Sequence, residues 1–82
     1  MTYKIDKDLL EKGTRELIKV AINNLESAIT GTDRNIDVKA AVELCYSVRN
    51  AAIWTLVDHS DIDFYLSEHS GELKRRFGVD IK

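Results

Sequence analysis

The 82-residue chain has no proline and a single cysteine, Cys45. Without proline, no residue interrupts a helix by withholding a backbone donor. A lone thiol excludes an intramolecular disulfide and suits a reducing compartment. No apolar run approaches the roughly 18 residues of a membrane span, and the opening MTYKIDKDLL lacks the apolar core of a signal peptide. A cytoplasmic location is therefore expected. Neither charge sign dominates: 12 Lys and Arg stand against 14 Asp and Glu, a net charge of −2, so no global field draws nucleic acid or an anionic membrane. The one local exception is the basic run Lys74, Arg75 and Arg76. Glycine-rich phosphate loops, nucleophile elbows and zinc-ligand spacings are also missing. The expectation is no cofactor and no metal.

What is present is helical pattern. The hydrophobic fraction is 44%, ordinary for a globular protein. One domain over residues 1–82 is expected, and a chain this short buries only about 60–65% of its unfolded surface, so a second subunit is a natural way to complete its core. Over residues 6–29, Leu10, Leu17, Ala21, Leu25 and Ala28 recur at helical spacing, and Ile18, Ile22 and Ile29 widen the stripe. Gly13 interrupts this helix, and a close helix crossing would compensate for it. The stretch TGTDRN, Thr30 to Asn35, reads as a turn, with Asp33 or Asn35 as the next helix cap. Over residues 36–58, Val38, Ala41, Leu44, Cys45, Val48, Ala52, Thr55 and Leu56 form an apolar arc. Opposite lie Glu43, Tyr46, Ser47, Asn50, Trp54 and Val57, a mixed aromatic and polar stripe. Two such helices and a short turn make an antiparallel hairpin. A third helix spans 61–77, or only 67–77 after a loop; Ser60 and Asp63 fit a capping box, and Gly78 follows Phe77 as a C-cap. The fold class is all-α: a long helical hairpin plus a shorter third helix.

Three stretches resemble the HEPN domain superfamily: the opening helix ending in NNLESAI, then AAVELCYSVRNAAIWTLV, then SEHSGELKRRFG. In the second, Tyr46, Ala51, Ala52 and Leu56 match the family's helix of tyrosine and small residues; in the third, His69, Gly71, Phe77 and Gly78 match. The resemblance implies an up-down helical bundle completed by dimerisation. It also implies a nucleotidyltransferase or antitoxin protein, and RNA, as partners. Active relatives carry an arginine and a histidine separated by four to six residues. Here the fifth, sixth and seventh residues after Arg49 are Trp54, Thr55 and Leu56, and aligning on Tyr46 instead puts Glu43 and Asn50 at the pair. The chain is also shorter than is usual for the family, so further helices would be missing or supplied by a partner.

The sequence therefore points to a non-catalytic, HEPN-like homodimeric association module, with the stripe from Glu43 to Val57 as its interface. Arg49, Lys74, Arg75 and Arg76 are the candidate phosphate contacts. The alternatives are a metal-independent ribonuclease or toxin in which Arg49, Asn50 and His69 converge, and a purely structural helical protein. His59 lies ten residues beyond Arg49, about 15 Å along a continuous helix, which is too far to share a phosphate. Its expected place is the end of the second helix, and Arg49 is expected to pair with a carboxylate of the first.

Overall fold

A computed structural model describes residues 6–32 and 35–81. It contains three helices, α1 (Lys7–Thr30), α2 (Val38–Thr55) and α3 (Ser60–Phe77), and no strand among the described residues. The third helix takes the longer of the two expected forms and matches α2 in length.

Each helix boundary has a local cause. Asp6 caps α1 by accepting the backbone N–H groups of Asp8 at 3.0 Å and Leu9 at 3.3 Å, two of the donors a helix start leaves unpaired. Gly31, in the left-handed region at φ 73°, ends it. The cap of α2 is Asp37, whose carboxylate accepts the Lys39 N–H at 3.1 Å. This corrects the expectation for Asn35; Asp33 lies outside the described residues. Asp37 wins because it directly precedes the first buried residue of the apolar arc, Val38. At the start of α3 the capping box does not form. His59 occupies the cap without a side-chain bond, and Asp58 accepts the Ser60 N–H at 2.9 Å. Bonds from the Ser60 backbone and hydroxyl hold the Asp58 carboxyl below its usual range. Gly78, at φ 67°, ends α3 as expected.

The second helix ends earlier than its periodicity implies. Leu56 adopts φ 58°, the only non-glycine residue in the left-handed region among those described, and its N–H closes back on Ala52 and Ile53. A glycine at this position avoids the Cβ clash that leucine incurs there. Leu56→Gly should therefore raise the stability of the isolated chain by about 0.5–1 kcal/mol, read as a higher urea midpoint. An unchanged or lower midpoint would contradict the strain at this cap.

The helices run up, down and up. The register of α1 against α2 is marked by the Cys45 thiol, which donates to the Ala21 carbonyl oxygen at 3.5 Å. Ala21, Ala41, Cys45 and Ala52 are all buried, and their small side chains let the two backbones approach. Leu25, Val42, Ile62, Leu66 and Leu73 fill the space where α3 lies across the hairpin. Two positions of the expected apolar stripes, Leu10 and Leu17, stay 44% and 48% exposed, while Thr14 is buried between them and satisfies its hydroxyl on the Leu10 carbonyl at 2.9 Å. Val42, outside the expected arc, is core. The cause is that α3 covers only one flank of the hairpin. Arg49 of α2 reaches Asp63 of α3 on that flank, and the opposite flank, with Leu17 and Leu44, has no helix over it. Gly13 has no atom of another element within 4 Å of where a Cβ would stand. The expected close crossing is absent among the described residues, and the glycine's cost of about 1 kcal/mol in a helix interior is not offset by any contact they make.

Candidate functional site

The expected outer stripe of α2 does not survive as one surface. Glu43, Ser47, Asn50 and Trp54 are exposed. Tyr46 is half-buried against the core and carries the Arg49 guanidinium 5.4 Å from its ring centroid. Val57 is buried: the helix has already ended, and the left-handed turn at Leu56 directs Val57 inward instead of outward.

The exposed apolar surface lies elsewhere. The large hydrophobic side chains open to solvent are Leu9, Leu10, Leu17, Val20, Leu44, Ile53, Trp54, Leu56 and Phe64. From the Ala21–Cys45 contact, eleven residues toward the chain start reach Leu10, and eleven in the other direction reach Leu56. In an antiparallel hairpin these two stand at the same level. Helix α3 begins at that end too, since Asp58 and Asp61 border the same cleft as Lys12 and Arg15, and Phe64 follows within about a turn. All but Leu17, Val20 and Leu44 therefore lie toward one end of a molecule 51 Å long. At the other end Ile36, Phe77, Val79 and Ile81 fold against the core. Trp54 is 86% exposed and Leu56 89%. Sequence periodicity could single out Trp54, but not Leu56, which it assigned to the core arc.

Arg49, His59 and Asp63 form a second feature. Arg49 Nη1 stands 3.5 Å from Asp63 Oδ1, and His59 Nδ1 stands 2.6 Å from Asp63 Oδ2. The helical distance that separated Arg49 from His59 does not apply, because α2 stops at Thr55 and the chain turns back. His59 accordingly sits at the start of α3 and not at the end of α2, and the carboxylate that meets Arg49 comes from α3, not α1. Asp63 fills the space between the two basic groups where an anionic ligand would bind. The trio clasps α2 to α3. Arg49 Nε is buried with no hydrogen-bond partner among the described residues.

His69 is not part of this cluster. Its ring stacks on Tyr65 at a centroid distance of 4.1 Å, and its Nδ1 lies 2.9 Å from the Tyr65 carbonyl oxygen. Tyr65 faces α1, where burial first and then the nearby Glu26 push its hydroxyl above the usual range. Arg49 meets the opposite flank of α3, so the structure does not bring Arg49, Asn50 and His69 together. The basic run is dispersed as well. Lys74 pairs with Asp80; Arg76 pairs with Glu72 at 3.3 Å and lies 4.9 Å over the Phe77 ring; Arg75 is exposed. Asp63, where Arg49 is held, is about three turns of α3 away, so these four residues do not share a phosphate. Among the described residues no group of His, Cys, Asp and Glu could hold a metal ion, and no helix is long and apolar enough to cross a membrane.

Set beside known proteins, this three-helix all-α chain matches no family model, no curated protein and no solved structure.

Proposed function

We propose that the chain is a non-catalytic, HEPN-like association module that works as a homodimer through its apolar end. The observation that carries this is the presence of Leu9, Leu10, Ile53, Trp54, Leu56 and Phe64 toward one end, each between 44% and 89% exposed. They come from all three helices and the turn after α2, and large apolar side chains left open in such number mark surfaces that meet a partner. Gly13 and Leu56 add support: each is unfavourable for the isolated chain, and both lie at this end.

Sedimentation velocity should find a dimer at micromolar concentration; a monomer throughout that range would reject the proposal. A nucleotidyltransferase, an antitoxin protein and RNA, the partners implied by the HEPN resemblance, remain within it. RNA contacts through Lys74, Arg75 and Arg76 would weaken steeply as salt rises. An RNA-cleaving site built on Arg49, Asn50 and His69 finds no support in the contacts. Cleavage lost on Arg49→Ala or His69→Ala would restore it.

A further inference from the structure

We infer that the dimer forms by exchange of α3: the turn from Leu56 to His59 straightens, α2 and α3 join into one continuous helix, and each α3 packs on the hairpin of the other copy. This rests on the association reading above and supplies its mechanism. Exchange needs a hinge that can become helix, and the chain has one. Helices α1 and α3 stop at Gly31 and Gly78, but α2 stops at a leucine, held at φ 58° where its Cβ is crowded. Only Leu56 to His59 separate α2 from α3, and those four residues include neither proline nor glycine. Continuing the helix through them relieves the strained leucine and gives the N–H groups of the turn ordinary helical partners. A short hinge under strain invites such an exchange.

The second observation is the seam between α2 and α3. Tyr46, Arg49, Ile53, Leu56, Ser60 and Asp63 follow one another at alternating three- and four-residue steps, the spacing of a helix face that pairs with another helix. In the closed chain the turn cuts this seam. Arg49 meets Asp63 at 3.5 Å, while Ile53 and Leu56 are left 50% and 89% exposed. In the exchanged pair two continuous helices run antiparallel, with Arg49 of each copy against the partner's Asp63. Both residues lie seven positions from Leu56. The two-fold axis therefore passes at Leu56, which packs on its own counterpart, and Ile53 lies one turn away on the same seam. The contacts that α3 makes within the closed chain are made again on the partner's hairpin, so burial of Ile62, Leu66 and Leu73 is kept. The exchange thus covers side chains that the closed chain leaves open.

Spin labels on Lys39→Cys and Arg75→Cys, both at exposed positions, report the exchange in a Cys45→Ala background. Refolding the doubly labelled chain with excess unlabelled wild type ensures that only distances within one chain are read. In the closed chain the start of α2 and the end of α3 border one cleft, so the labels stand near each other. In the exchanged dimer a continuous helix of 36 residues' rise holds them about 54 Å apart. The dimer fraction should show this long distance, and the monomer fraction one less than half as long. Leu56→Gly suits the turn and disfavours a helix interior. It should keep helical circular dichroism and weaken dimerisation about tenfold or more, since two hinges change in every dimer. A dimer whose labels keep the short distance, or one that Leu56→Gly leaves undisturbed, overturns the exchange and leaves association standing. A monomeric wild type overturns both.

Discussion

Leu25→Ala should lower stability by about 3–4 kcal/mol, the largest single loss expected from any one side chain in this protein. Leu25 has no solvent exposure and belongs to the cluster that all three helices share. Removing three of its carbons forfeits the transfer energy and also leaves a cavity, because helices on every side keep their neighbours from closing in. A domain of this size has only about 5–10 kcal/mol in total. The thermal midpoint should fall by about 12–32 °C, at the 4–8 °C per kcal/mol expected for a small domain. The informative comparison is Leu17→Ala. Leu17 shares the sequence stripe with Leu25 but is 48% exposed, so its removal should change the stability of the isolated chain by less than about 1 kcal/mol. Both midpoints belong at one dilute concentration, since association would itself raise them. Equal losses at the two positions would show that α1 is covered along its whole length.

Alkaline pH should destabilise the protein through Cys45. The thiol is buried, and burial raises its pKa from 9.0 to about 11, because a thiolate there would lose its hydration. A folded value above the unfolded one means that the contribution is fully present below pH 9. It is lost as pH climbs from 9 through 11, because the unfolded chain releases its proton first. Over that window the loss amounts to about 2–3 kcal/mol. Tyr65, also raised, acts in the same direction. Denaturant midpoints measured across that range should fall more steeply for the wild type than for Cys45→Ala. Parallel curves would mean that Cys45 titrates alike in both states. At pH 8 the native thiol should also resist alkylation until the chain opens.

Counting residues along one continuous helix put His59 too far from Arg49, and the Arg49–Asp63–His59 clasp shows how such counting can mislead. Ten residues span about 15 Å only if the helix continues. Leu56 ends it, and the distance is then set by a turn and by a second helix. The same residue accounts for Val57, which the 3.6-residue period placed outside and the turn carries inward. Thr14 reads as polar and is buried, because a helical threonine can satisfy its hydroxyl on its own backbone.

The sequence by itself determined three helical segments, the turn after Thr30, the stop at Gly78, and most of the buried centre: Ile18, Ala21, Leu25, Ala28 and Ile29 with Val38, Ala41, Cys45, Val48 and Ala52. Caps, periodicity and propensity are local interactions, legible within a few residues. Only the tertiary structure decided which half of each apolar stripe is covered. The sequence arc joins Leu10 and Leu17 to Leu25, and Leu56 to Ala52, as equivalent positions. Leu10 and Leu17 differ because α3 covers one flank of the hairpin and no described helix covers the other; Leu56 differs because its left-handed backbone ends the helix before it. Exposure depends on which helix stands opposite, and that pairing is absent from the period of any single helix.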